Sequence, residues 1–404
     1  MIILTISLAL LILILLWTIY HIPIMLAGVR GHGHKSEDIS VHGGRLPKFS
    51  LIVPAKNEEN VIARCLKALL SLDYPRAKME IIVVEGGSTD ATKDVCLEFS
   101  RRHPSVVRVL SQATSTGKPA ALNFALPHVT GEIVGVFDAD SVPERDVLRK
   151  VASNFQDPSV MAVQGRTSSL NKEKNILAKV AAMEEKAWLQ SMVNGRERLK
   201  LFVPLTGSCQ FVRRGILEEM GGWAEDSLAE DVELALKLVE KRFLVKYDGN
   251  VCSRQETPST LRSLIKQRTR WYRGYMEAAL RYGRLLRNPC WKTIDAEVSL
   301  MGPFVMVLCL ASYLNWALSM FIPVETIGLL PNLGTMAVVM TGLTLFSIGT
   351  ALAFMEKPAR IRNLIWIPFI YAYWFLQTAI AGWAFLQTFL RRPKVWQKTV
   401  KNGL

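Results

Sequence analysis

The stretch "GEIVGVFDADSVPE", residues 131–144, decides the fold. An apolar, strand-like run ends in two aspartates, Asp138 and Asp140, separated by one small residue. In an extended segment residues i and i+2 point to the same side, so both carboxylates face one spot and repel unless something positive lies between them. A hard divalent cation is the counter-charge this placement calls for.

Upstream the same pattern repeats. "FSLIVPA" reads as a strand, "ENVIARCLKALLSL" as an amphipathic helix, "MEIIVVEGG" as a strand, "TKDVCLEFSRR" as a helix and "VVRVLS" as a strand; "KPAALNFALPHV" is a helix before "EIVGVF". Strands alternating with helices predict βαβ units and an α/β fold with a mostly parallel central sheet. Ligands of such sheets sit beyond the carboxyl ends of the strands. "VPAKNEE", "VEGGSTD" and "FDADS" all fall at that edge, so three clusters distant in sequence are expected to share one cleft. Taken singly, the first is equally a turn, and the second a loop with a helix cap, because Ser, Thr and Asp satisfy free N–H groups there.

Three later pieces join them. "LTGSCQFVRRG", residues 205–215, supplies Gly207 and Ser208, small residues where backbone can approach a ligand closely. "LAEDVELALKLVEKRF" puts Glu230 and Asp231 at a helix start, where acids also simply stabilise the helix N-terminus. "TLRSLIKQRTRWYRGYMEAALRYGRLLR" forms a basic helix with Leu261, Leu264 and Ile265 on one side and cations on others, which suits a membrane interface.

Composition agrees with a membrane. Half of the 404 residues are hydrophobic, and 49 Lys and Arg against 35 Asp and Glu leave a net charge of +14. Residues 1–29, 298–324, 326–355 and 363–390 carry no Asp, Glu, Lys or Arg, and each window is long enough for a bilayer core, which needs about 20 apolar residues. The first lacks the basic start and small-residue cleavage site of a secretion signal and reads as a retained anchor. The basic middle belongs on the cytoplasmic side by the positive-inside bias. Three plain C-terminal spans would put the basic tail "RRPKVWQKTVK" outside, so 363–390, interrupted by Pro368, is expected to be re-entrant or interfacial. The expected divisions are 1–29, 48–257, 258–296, 298–390 and 391–404. Positive charge directed at lipid headgroups and a phosphorylated substrate explains the Arg-rich helix better than nucleic acid does. The six cysteines form no close pair or metal-ligand spacing, as expected of reduced thiols.

In this order the motifs resemble the membrane-integrated synthases of glycosyltransferase family 2, the group with cellulose, hyaluronan and poly-N-acetylglucosamine synthases. "FDADS", "AED" at residues 229–231 and "QRTRW" at residues 267–271 match the family's D-x-D, E-D and Q-x-x-R-W, and the likeness covers about residues 49–274. It implies a GT-A-like domain binding a nucleotide sugar, with UDP-glucose or UDP-N-acetylglucosamine the family-weighted donor. Pro54, Ala55 and Glu58 would border the nucleoside; Glu85 and Asp90 match its acidic segment, although this chain has Glu85-Gly86 where the family often has two aspartates. Lys118 and Asn123 would lie near the donor. Asp140, with Asp138 nearby, would hold Mg²⁺ or Mn²⁺, and Gln267 and Arg270 the diphosphate. Asp231, beside Glu230, would be the base, implying inversion at the anomeric centre; Trp271 would be the acceptor platform. Trp396, Thr399 and Lys401 resemble a gating segment. The resemblance puts first a processive polysaccharide synthase that exports its product, with a single-transfer glycolipid synthase like the ceramide glucosyltransferases as the alternative. A binding-only membrane scaffold is the non-enzymatic alternative, against which the intact motifs argue.

Overall fold

The computed structural model describes residues 2–29, 45–113, 117–319 and 361–394, with a few isolated positions beyond them. Four strands, β1 (Phe49–Ala55), β2 (Met79–Glu85), β3 (Val107–Ser111) and β4 (Ile133–Val136), alternate with α2 (Ile62–Leu70), α3 (Thr92–Arg102) and α4 (Lys118–Ala125). They pair in parallel in the order β3-β2-β1-β4, as βαβ units require. The sheet then continues through β7 (Gln210–Arg213), β6 (Val160–Ser169), β8 (Leu244–Gln255) and the short β5 (Val142–Pro143) to eight strands. β7 runs antiparallel to both β4 and β6, whereas β6 and β8 are parallel.

The parallel strands are apolar throughout because both faces are covered. Leu51, Val53, Ile81 and Val83 pack against Ile62, Leu66 and Leu69 of α2. Ile52, Ile82, Val134 and Val136 pack on the opposite face, with Leu122 of α4 and with Val232 and Leu236 of a later helix, Glu230–Glu240.

Around this core stand α1 (Ile2–Val29), α5 (Val147–Asn154), α6 (Ile176–Ala187), α7 (Asn194–Arg198), α8 (Arg214–Glu219), α9 (Glu230–Glu240), α10 (Leu261–Tyr282), α11 (Trp291–Leu300), α12 (Gly302–Ser319) and α13 (Ile367–Phe389). Helix α1 is not a detached anchor. Ile24 is fully buried, Asn194 Nδ2 donates to the Gly28 carbonyl at 3.0 Å, and the Tyr20 hydroxyl donates to Asp295 Oδ1 at 2.9 Å. Asp295 also accepts from Arg196 Nε and from the Phe202 amide, each at 3.0 Å, so one buried carboxylate ties α1 and α11 to the segment leading into β7.

Among the described residues, two helical stretches, Leu8–Val29 and Ile361–Phe389, are long and apolar enough to cross a membrane, and α11 with α12 makes a third if that pair, bent by 44°, is one span. The expected interruption at Pro368 is absent: α13 is continuous over 23 residues, with the proline in its first turn, where a missing N–H removes no helical hydrogen bond. Of the window 326–355, only isolated positions lie among the described residues. Helix α10 also differs from an open interfacial helix. Leu264 is buried, but Leu261 is exposed, and Arg268 and Arg273 turn inward to Glu184 and Glu277.

Candidate active site

The three expected clusters do meet at the carboxyl edge of the parallel strands. The loops after β1 and β2 are stitched together: the Asn57 amide donates to Ser88 Oγ at 3.0 Å, Asn57 Oδ1 accepts from the Thr89 amide at 2.8 Å, and the Glu58 amide donates to Thr92 Oγ1 at 2.6 Å. Asp90 accepts from the Thr92 amide at the start of α3 and from the Glu59 amide, so it ties the loop after β1 to the entry of α3. Glu85 is buried at the end of β2, with the Ser88 amide donating to it at 2.5 Å. Pro54 and Ala55 close β1 beside it.

The counter-charges of FDADS are two lysines. Lys118 Nζ, at the first residue of α4, donates to Asp138 Oδ1 at 2.6 Å and to the Gly207 carbonyl at 2.7 Å. Lys401 Nζ donates to Asp140 Oδ2 at 2.6 Å and to the Glu256 carbonyl at 3.0 Å. The Glu256 amide donates to the same Asp140 oxygen at 2.8 Å, and Arg64 pairs with the Glu256 carboxylate at 2.7 Å. Burial pulls both ammonium groups down, but the facing carboxylates, Asp138 first for Lys118 and Asp140 first for Lys401, outweigh it and hold them above the usual lysine range. Of the gating-like trio, Trp396 and Thr399 lie outside the described residues.

Asp231 lies across Gly207 from Lys118. At φ +79°, Gly207 occupies the left-handed region, and a Cβ there would fall 2.9 Å from Asp231 Oδ2 and 3.1 Å from Lys118 Nζ. Only glycine lets the loop pass between the two groups. Burial, and then the neighbouring Glu230 charge, push the Asp231 carboxyl up to about 7, against the pull of Lys118 and Arg270. Ser208 braces the opposite side, accepting from the Asp138 amide at 3.2 Å and lying 3.0 Å from Ser141 Oγ.

Helix α10 crosses directly over the Glu230–Asp231 turn. A Cβ on Gly274 would come within 2.7 Å of the Ala229 Cβ, so the glycine allows the approach. Gln267, Arg270 and Trp271, spaced i, i+3 and i+4, share a face of α10. Arg270 Nη1 lies 3.5 Å from the Leu228 carbonyl, and the Arg268 guanidinium covers the Trp271 ring at 4.6 Å from its centroid.

Asn123 is tied to the segment before Asp231. Its Nδ2 donates to the Trp223 carbonyl and Glu225, while its Oδ1 accepts from the Trp223 amide, so it braces the turn leading toward Asp231. Other supports were not anticipated: Gln164 Oε1 accepts from the Thr206 amide at 2.8 Å, and Gln210 Oε1 from the Gly207 amide at 3.2 Å. Each is a fully buried glutamine in a strand beside apolar neighbours, and that polar interruption is the signal that marks them.

Among the described residues no three or more His, Cys, Asp or Glu side chains gather as a metal cluster. Asp138 and Asp140 are the carboxylates on which a divalent ion could sit, each now paired with an ammonium group that such an ion would have to displace or share.

Residues 47–274 match the family described as "Glycosyltransferase like family 2". The probable glycosyltransferase YdaM of Bacillus subtilis is 32% identical over 276 residues, 66% of each chain. The beta-monoglucosyldiacylglycerol synthase of a Nostoc species is 34% identical over 270 residues, 65% of this chain and 57% of its own. The poly-beta-1,6-N-acetyl-D-glucosamine synthase of Staphylococcus epidermidis is 28% identical over 264 residues, 65% of this chain and 60% of its own. The matched region therefore spans under two thirds of these relatives' length. The mannosyltransferase PcManGT of Pyrobaculum calidifontis, solved with GDP-Man and Mn²⁺, superposes over 97% of this chain and 100% of its own with a TM-score of 0.67 at 21% identity, which speaks to the fold. With a GT-A-like sheet, the motif order and a family match over more than half its length, the chain belongs to glycosyltransferase family 2.

Proposed function

We propose that this chain is a membrane-bound, inverting, metal-dependent glycosyltransferase that moves a sugar from a nucleoside-diphosphate donor, UDP-linked by preference, to the hydroxyl of a membrane lipid. The observation that carries the reading is the placement of the Asp231 carboxyl across Gly207 from the Lys118–Asp138 pair. A base on the acceptor side thus adjoins cationic machinery on the donor side.

Attack by the acceptor oxygen on the anomeric carbon forms the new glycosidic bond while the bond to the β-phosphate breaks, with the hydroxyl proton passing to Asp231. Displacement from the face opposite the leaving group inverts the centre. Asp140 and Asp138 would hold Mg²⁺ or Mn²⁺, which neutralises charge on the departing diphosphate. Gln267 and Arg270 would grip the same diphosphate from α10, Arg270 through charge-assisted hydrogen bonds.

The acceptor order differs from that of the sequence reading, which put polymer growth first. Helix α10 packs on the Asp231 turn by one face and on α13 by another, where the Tyr272 hydroxyl donates to Gln377 at 2.8 Å. One helix thickness, about 10 Å, therefore separates the base from a candidate membrane span, and the Nostoc glycolipid synthase is the better matched of the two named acceptor classes. Chain extension is the second reading, favoured by Trp271 as a sugar platform and by Lys401 reaching Asp140 as a gating residue would.

Radiolabelled nucleotide sugars offered with Mn²⁺ and diacylglycerol vesicles separate them. One sugar on extractable lipid is expected. Long products would replace this reading with chain growth, and no transfer from any donor would sink both. A thermal-shift screen across nucleotide sugars narrows the donor.

A further inference from the structure

Trp271 is held from the side of α6 and α13. Arg268, one turn earlier on α10, lays its guanidinium on the indole at 4.6 Å from the ring centroid. The guanidinium is itself clamped at its far edge: Nη2 donates to Glu184 Oε2 of α6 at 2.7 Å and to the Tyr373 hydroxyl of α13 at 3.2 Å. The Tyr373 hydroxyl donates to the same Glu184 oxygen at 2.9 Å, closing a ring of three side chains from three helices. The Arg268 and Glu184 side chains are only 13% and 20% exposed, so the ion pair is little screened by solvent. Next to it, Glu185 accepts from Thr167 Oγ1 at 2.5 Å, which anchors α6 to β6.

An indole has two faces, and one is taken. A planar guanidinium over a ring spreads its charge across the π face while its edge still donates, as no ammonium can. We infer that Arg268 is a positioning residue that fixes the Trp271 ring, and that Tyr373 ties the candidate membrane helix α13 to the acceptor platform through Arg268. This rests on the reading that Trp271 carries the acceptor. Through this chain, a displacement of α13 is transmitted to the ring by two hydrogen bonds and one stack.

The test uses full-length protein labelled with fluorotryptophan in phosphatidylglycerol nanodiscs, with Trp271→Phe assigning the fluorine signal. Wild type is expected to give one narrow Trp271 line. Arg268→Met should shift and broaden it, and Arg268→Lys should do the same despite keeping the charge. Tyr373→Phe should do so to a smaller degree. The other nine of the ten tryptophans report whether the fold is kept. In transfer from radiolabelled UDP-glucose to dioleoylglycerol vesicles, Arg268→Met should raise the acceptor KM about tenfold, with UDP–Mn²⁺ affinity unchanged. A Trp271 line unmoved in Arg268→Met overturns the inference, as does a line that moves while the acceptor KM stays at the wild-type value. Wild type that transfers to no acceptor refutes the proposed function instead, and the fluorine line still decides whether Arg268 holds the ring.

Discussion

Asp231 as the proton acceptor makes a quantitative demand on pH. A base works only when ionised, so the rate follows the ionised fraction of a group whose carboxyl is pushed up to about 7. On the acid side of the knee the rate should rise about tenfold per pH unit, and above the knee it should level off. Glu230, Lys118, Arg270 and Tyr275 all face this carboxyl, and Glu230 is the group that raises it most after burial. Two unit charges ~6 Å apart at an effective dielectric constant of ~20 interact by about 3 kcal/mol. Glu230→Gln should therefore move the knee of the profile toward acid by one to about two pH units, each unit being about 1.4 kcal/mol. Stability runs the other way. The folded state holds this proton more tightly than the unfolded chain, whose value is near 3.8, so the penalty is absent below that pH and grows until about 7. Initial rates at subsaturating acceptor, with donor and Mn²⁺ saturating, should be read from about pH 5.5 to 8.5 at constant ionic strength. A flat profile, or a knee that Glu230→Gln leaves in place, would refute Asp231 as the base.

Other consequences are more direct. Lys401→Ala removes the ammonium that occupies Asp140, so Mn²⁺ measured calorimetrically without donor should bind about tenfold more tightly; equal or weaker binding would mean that lysine and ion do not compete. Gly207→Ala forces a Cβ against Asp231 and Lys118 at a left-handed position and should lower transfer about 100-fold, with only a modest fall in Tm by thermal scan. Asp295→Ala strands Arg196 in a site where both side chains are almost fully buried, which should destabilise the protein by about 3 to 5 kcal/mol. Thermal unfolding in nanodiscs should register this as a Tm lower by ~5 °C.

Much of this fold is legible because its signals are local. The short apolar runs alternating with helical periodicity from Phe49 to Val136 specify four parallel strands, and the clusters at their carboxyl ends meet as the topology requires. The second half of the sheet is less so. β7 enters between β4 and β6 antiparallel to both, and nothing in the periodicity of "QFVR" reports its neighbours. Pro368 misleads for a related reason: a proline marks a break inside a helix and a start at its first turn, and only the position of the first turn distinguishes them.

The ionic partners of FDADS were beyond the reach of sequence because they come from 20 residues upstream and 261 residues downstream. Their presence alters the electrostatic argument. A carboxylate as enclosed as Asp140 would be strongly penalised with no partner, yet a lysine ammonium and the Glu256 amide both donate to it. An ion arriving with the donor, as proposed, would exchange one cation for another at a carboxylate already desolvated and aimed. Asp138 differs: Lys118 is fastened to the Gly207 carbonyl as well, so its ammonium is part of the loop that faces Asp231. Of the two lysines, the one from the tail is free to be displaced without dismantling the acceptor side, and the one from α4 is not.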